Sequence, residues 1–469
     1  MKKIVFLSFL IFLLSIHISG NNFPPENEKT RILILTDIEN EPDDAQSLVR
    51  FLLYSNQFDV EGIVATTSCW QRNETAEWRI REIVDAYGKV RDNLGKHEAG
   101  YPEHTYLKER IKKGYPDFGM AAVGEGRDSE GSEWIIKVVD EDDPRPVWIP
   151  VWGGANCLAQ ALWKVKNTRT EEELKKFVEK IRVYTISDQD NSGPWIRNNF
   201  KDLFYIVSPG FHENNGNSYY YSTWIGISGE RHYYFQSGAN KYIIDNGWVD
   251  NNIQNHGPLG AEYPDIAYIM EGDSPSFMYL INNGLGSSEH PNWGSWGGRY
   301  ELYRPHTRVF YHEPEEREIW TDADDWVEVD GTVYIDNTAT IWRWRDHFQN
   351  DFAARMDWTI NGYEDANHPP VAKLNHENEI DVKSGEKITL DASVSSDPDG
   401  DKLNYEWIFY REAGTYSAMT EIENNKNAQL QITAPVVDSP KQLHFIVTIT
   451  DDGEPKLTRY QRVILTVNP

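Results

Sequence analysis

The densest chemistry in the chain lies in one short stretch, Thr36-Asp-Ile-Glu-Asn-Glu-Pro-Asp-Asp44. Asp37, Glu39, Glu41, Asp43 and Asp44 place five acids in eight positions, directly after an apolar run. Like charges so crowded repel one another unless a cation or substrate hydroxyls compensate them. Asp43 and Asp44 also fall where a helix should begin, and one or two acids there would simply answer its positive end. Helix capping does not account for the other three. A hard cation such as calcium prefers oxygen ligands and suits the stretch. Tryptophans in polar, glycine-rich loops (Trp195, Trp224, Trp293 and Trp296) add rings that could stack on sugar faces, with Trp195 and Trp296 the candidates for a pocket. Arg299 would either clamp an anionic sugar or pair with an acid.

These residues need elements to hold them. Arg31–Thr36 is a continuous apolar run, as expected of a strand covered on both faces. Further strands read at Val60–Thr66, Val147–Val151 and Ile181–Ile186. Helical patterns intervene at Ala45–Tyr54, Thr75–Tyr87, Ser132–Val139, Cys157–Val165 and Glu171–Glu179. Alternation of this kind predicts an α/β domain with a mostly parallel sheet flanked by helices, and ligands then sit beyond the carboxyl ends of the strands. Past Asn367-His-Pro-Pro370 the pattern changes to short strands, at Lys387–Leu390, Leu403–Phe409, Ala428–Ile432, Leu443–Ile449 and Arg459–Val467. They predict an antiparallel β-sandwich with Trp407 in its core. The expected organisation is therefore a leader over 1–20, an α/β domain over 30–365 and a sandwich over 369–469.

The chain has 469 residues and a formal charge of -28, which argues against nucleic acid or an anionic membrane as partner. Lys2 and Lys3 precede an apolar run from Ile4 to Ile16, too short to span a bilayer and suited to a secretory signal peptide. Export to the periplasm or medium is the expectation, with no membrane partner once the leader is removed. The two cysteines, Cys69 and Cys157, are read as buried free thiols, with a disulfide the alternative.

The acidic stretch resembles the nucleoside hydrolase family, whose first strand ends in D-x-D-P-G-x-D-D. The resemblance implies that Glu39 and Asp44 bind calcium, that Glu39 is the general base, and that Asp43 holds substrate; Asp37, which opens the motif, joins the expected metal set. Ile149-Pro-Val-Trp-Gly-Gly-Ala-Asn156 resembles the loop that lends calcium a backbone carbonyl, here that of Val151, and Asn156 is taken as a substrate contact. Glu271-Gly-Asp273-Ser-Pro resembles the late H-D-P segment, with Asp273 as the last calcium ligand. Gly272 replaces the histidine that helps protonate the leaving group, so His256 and Glu271 become the candidates for that acid. Asp188 and Asp190 would add carboxylates to the pocket from a neighbouring strand.

Gly124-Glu-Gly-Arg-Asp-Ser-Glu-Gly-Ser132, Asp142-Asp-Pro-Arg-Pro-Val-Trp148 and Trp293-Gly-Ser-Trp-Gly-Gly-Arg-Tyr300 are similar to a bacterial family of exported proteins with a nucleoside-hydrolase-like domain and the label cellulose-binding. The two resemblances together imply a calcium-dependent glycoside hydrolase acting on a polysaccharide-derived substrate with inversion. The alternative is a carbohydrate-binding protein without turnover. The turn Ser396-Asp-Pro-Asp-Gly-Asp401 resembles that of polycystic-kidney-disease-type and cadherin-like modules; it reads as a plain turn or as a second calcium site.

Overall fold

A computed structural model describes residues 28–208, 221–233, 237–305, 315–418 and 422–469. The signal-peptide expectation for 1–20 lies outside the described residues.

Eight strands form the main sheet: β1 (Thr30–Thr36), β2 (Phe58–Ala65), β3 (Ile111–Lys113), β4 (Val147–Val151), β5 (Ile181–Thr185), β6 (Phe204–Val207), β7 (Tyr300–Tyr303) and β8 (Ile319–Asp322). Their order is β3-β2-β1-β4-β5-β6-β8-β7, and every pairing is parallel except β7 with β8. The apolar run of β1 has the predicted cause: Ile32 and Ile34 are wholly buried in one core cluster and Leu33 and Leu35 in another, so both faces of the strand are covered. Chain direction across the sheet reverses at β1/β4, where Leu35 pairs with Val151. That switch point opens the crevice in which open parallel sheets bind ligands.

Helices cover both faces: α1 (Pro42–Leu53), α2 (Glu77–His97), α3 (His104–Glu109), α4 (Glu130–Val139), α5 (Asn156–Thr168), α6 (Glu171–Glu179) and α7 (Ser192–Asn199). Proline at its start and acids in its first turn fix where α1 begins. The α2 helix runs ten residues beyond the predicted Tyr87, because Val90 and Leu94 keep its buried stripe going. A hairpin of β9 (Asp325–Val329) and β10 (Thr332–Asp336) follows the sheet.

In the C-terminal sandwich, β11 (Glu379–Lys383), β13 (Asn404–Phe409), β15 (Lys441–Thr450) and β16 (Thr458–Asn468) form one sheet, and β12 (Lys387–Asp391) with β14 (Gln429–Thr433) the other. Pairing is antiparallel except at the edge, where β11 runs parallel to β16. Trp407 is fully buried between the sheets, as expected. The sandwich is locked onto the main domain by polar contacts. The Tyr410 hydroxyl donates to Asp325 at 2.6 Å, and Arg462 donates to the carbonyls of Leu285 and Trp293, both at 2.7 Å. Cys157 is a buried free thiol, and Cys69 is half-buried. Among the described residues no helix is long and apolar enough to cross a membrane.

Candidate functional site

The carboxylates meet at the switch point. Asp37 follows β1, Asp43 and Asp44 open α1, and Asp273 precedes the short helix Ser274–Met278. Asp43, Asp44 and Asp273 each bring a carboxylate oxygen within 4.8 Å of the others. Burial is the first cause of a shared upward pKa shift, and mutual repulsion adds to it. Asp37 is pushed up to about 7 and Asp43 to about 8, while Asp44 and Asp273 lie well above the usual carboxylate range. Burial also raises Glu41, which repels Asp37 and Asp43. Thr36 donates to Asp44, and Ser68, just past β2, hydrogen-bonds Asp37.

Small residues make the crowding possible. A Cβ on Gly153 would lie 2.4 Å from Asp37 Oδ1, and one on Gly272 would lie 2.8 Å from Asp43 Oδ2 and 3.3 Å from the Trp224 ring. Gly272, where the resemblance leads one to expect histidine, therefore leaves room for Asp43. Trp224 is the loop tryptophan that reaches this site; it is fully buried and its indole N–H donates to Ser187 at 3.0 Å.

Several predicted residues are placed elsewhere. Glu39 adopts a left-handed backbone (φ 80°) and its side chain leaves the cluster to pair with Arg79 at 3.0 Å. Glu271 is wholly buried beside Arg50 at 2.6 Å, and it accepts hydrogen bonds from Tyr263 and Ser274. His256 pairs with Asp357 at 2.9 Å. Asp188 is buried against Arg197 at 2.7 Å. Asn156 donates to Thr67 and Asp117 inside the protein. The Val151 carbonyl accepts the amide of Ile186 at 2.9 Å, leaving one lone pair. Asp190 stays near the cluster: it repels Asp37, burial pushes it up to about 6, and its Oδ1 accepts the Ser192 amide at 2.8 Å where α7 begins. Trp195 packs edge-on against Phe200, and Trp296 is buried at the sandwich junction, donating to Tyr460 at 3.0 Å. Arg299 pairs with buried Asp325 at 2.7 Å. Partners distant in the chain absorb several of these groups: Arg79 takes Glu39, Arg50 takes Glu271, Asp357 takes His256 and Asp325 takes Arg299. Ser68 and Gly153 were not singled out from sequence; their positions just beyond β2 and β4 are the signal that marks them.

The donor set fits a hard divalent cation. Every side chain in it is an oxygen donor, and buried Asp37 Oδ1 and Asp273 Oδ2 have no hydrogen-bond partner. Asp37, Asp43, Asp44 and Asp273 are the residues that would hold such an ion.

Residues 31–300 match the family described as cellulose-binding Sde182, nucleoside hydrolase-like domain, and residues 387–467 match the cellulose-binding protein Sde0182 C-terminal domain. No curated protein matches the chain. Among solved structures, a nucleoside hydrolase-related hypothetical protein from Saccharophagus degradans, described as associated with carbohydrate metabolism, is 36% identical. The match covers 94% of this chain and all of that one, with a TM-score of 0.79. The effector protein XOO4466 is 8% identical over 72% of this chain and 96% of its own, with a TM-score of 0.37. The type III effector XopQ, solved with adenosine diphosphate ribose, is 9% identical over the same shares, at 0.33. These two values are too low to bear on the site. Carrying both matched segments in order, the chain belongs to the cellulose-binding Sde182 family, with its nucleoside hydrolase-like domain and its C-terminal domain.

Proposed function

We propose that this chain is an exported carbohydrate-binding protein that takes a sugar through calcium held at Asp37, Asp43, Asp44 and Asp273. The convergence of Asp43, Asp44 and Asp273 within 4.8 Å, beside unpartnered buried oxygens, carries the reading. Calcium, when bound, supplies coordination positions for neighbouring sugar hydroxyls. The chain's own residues do the rest. Asp43 lies beside the Gly272 gap, placed to accept from a sugar hydroxyl, and Trp224 walls that gap. Arg79 draws Glu39 out of the cluster, so Glu39 acts at the rim. The cellulose-binding description of the matched family supports a β-glucan ligand. Export is supported by Lys2, Lys3 and the apolar run Ile4–Ile16.

Hydrolysis is the second reading: water attack at an anomeric carbon, with inversion. One observation favours it. Asp37 Oδ1 is buried, unpartnered and inside the cluster, where a carboxylate could take a proton from water. Against it, Glu39 and Glu271 are each tied in an ion pair and His256 Nε2 is engaged by Asp357 at 2.9 Å, away from the cluster.

Titration calorimetry with soluble cello-oligosaccharides, in calcium and in chelator, tests the proposal. Calcium-dependent affinity should fall at least about tenfold in Asp44→Asn and Asp273→Asn and persist in Glu39→Gln. Affinity indifferent to chelator would overturn it. Release of reducing sugar that vanishes in Asp37→Asn would establish hydrolysis instead.

A further inference from the structure

Three large rings are exposed around the mouth of the carboxylate crevice. Trp70 is 48% exposed, Trp78 52% and Tyr268 68%. Single exposed rings are ordinary on a protein surface, but these three stand on segments that the site itself ties together. The Trp70 amide donates to Ser68 Oγ at 3.0 Å, and that serine hydrogen-bonds Asp37. Trp78 lies in the first turn of α2, beside Arg79, whose guanidinium joins Glu39 at 3.0 Å to Glu262 at 2.6 Å. Tyr268 precedes the Glu271–Asp273 stretch. Gln46 of α1 holds that segment by accepting the Glu271 amide at 2.9 Å and donating to the Pro264 carbonyl at 3.2 Å.

Backbone strain is the independent observation. Among the described residues, six that are not glycine have positive φ, and four of them, Glu39, Ser187, Tyr268 and Glu271, border the crevice. The other two, Asp330 and Asn424, lie in turns elsewhere. The Ile269 amide donates to the Ala267 carbonyl at 2.9 Å, so Tyr268, at φ 67°, is the centre of a three-residue turn of the strained kind. A bulky side chain is an outlier in that conformation, and such strain gathers at functional sites. The turn leaves the Tyr268 ring exposed while Ile269, next to it, stays buried beside the Gly272 gap.

We propose that Trp70, Trp78 and Tyr268 form a stacking platform for the sugar rings that flank the one held at the carboxylates. The site then takes a neutral, β-linked glycan chain of several units rather than a single sugar, a property that rests on the carbohydrate binding proposed for the same site. Aromatic faces pack on the C–H faces of sugars, and a β-linked glucan offers such faces on every unit. The rim sets the charge of the ligand. Glu39 and Glu262 stand there with Arg79 already shared between them, above the buried acids, so an anionic sugar would be repelled. Trp224, Trp293 and Trp296 do not serve, because each is buried.

The test is titration calorimetry on the full chain, in calcium, with cellobiose and with cellohexaose. Wild type should bind the hexamer at least about tenfold more tightly than the dimer. Trp70→Ala and Trp78→Ala should each weaken hexamer binding at least about fivefold and dimer binding less than about twofold. Trp70→Tyr and Trp78→Tyr keep a ring and should bind the hexamer within about threefold of wild type. A loss shared by the alanine and tyrosine variants would mark a structural role and overturn the proposal. Tyr268→Gly, which suits the positive φ, should weaken hexamer binding without lowering the melting temperature. Calcium-dependent hexamer binding that the alanine variants leave unchanged overturns the platform and leaves the metal site standing. Hexamer binding indifferent to chelator, yet weakened by the alanine variants, overturns the metal site alone. No hexamer binding by wild type overturns both.

Discussion

Removing calcium should make stability fall as pH rises from 7 to 8. Burial and repulsion hold Asp43 protonated up to about 8, and hold Asp44 and Asp273 protonated well above the usual range. In the unfolded chain the same groups ionise near 4. The folded state therefore carries protons that the unfolded state has lost, and stability declines with pH until the folded value is passed. Each retained proton costs about 1.4 kcal/mol per pH unit. Two ions at 4.8 Å repel by about 3.5 kcal/mol at an effective dielectric of about 20, so the cluster should keep at least one proton at pH 7. A decline of at least about 1 kcal/mol between pH 7 and 8 follows. The window lies above most of the histidine effect: His97, His232, His290, His347 and His444 are all lowered by burial, so they raise stability with pH mainly below 7 and add only a small opposing rise, at most about 0.15 kcal/mol each, between 7 and 8. The assay is urea denaturation in chelator at pH 7, 7.5 and 8, repeated in calcium and with Asp44→Asn. Calcium should flatten the profile, because the ion takes the place of the protons, and Asp44→Asn should shallow it in chelator. A flat or rising profile in chelator would refute the account of the cluster.

Arg50→Met should cost about 3–5 kcal/mol in urea denaturation, because it strands the buried Glu271 carboxylate; a loss below about 1 kcal/mol would show that Glu271 is free for another role. Gly272→Ala should weaken calcium affinity about tenfold by pushing on Asp43 Oδ2 while changing the melting temperature little, as read by calorimetry. Trp407→Ala should cost about 3–5 kcal/mol by opening a cavity between the sandwich sheets, seen as an early unfolding step.

Residue types and local order were enough to mark β1, the acids after it and, to within three residues, the start of α1, since each depends on neighbours in sequence: an apolar run and a cluster of charge. The Trp407 core position and the parallel character of the sheet were legible for the same reason. The aim of individual side chains was not. Whether Glu39 faces the cluster depends on a left-handed backbone and on Arg79 arriving from α2. Whether Glu271 is an acid or a structural partner depends on Arg50, brought across the fold by α1. Trp296 stands in a polar, glycine-rich sequence that suggests a loop pocket, yet Tyr460 of the sandwich covers it. Composition and spacing determined that a crowded acidic site exists and which strand end carries it, because repulsion and periodicity are local. Only the tertiary structure decided which of those acids remain unpaired, because ion pairs and burial are set by residues distant in the chain.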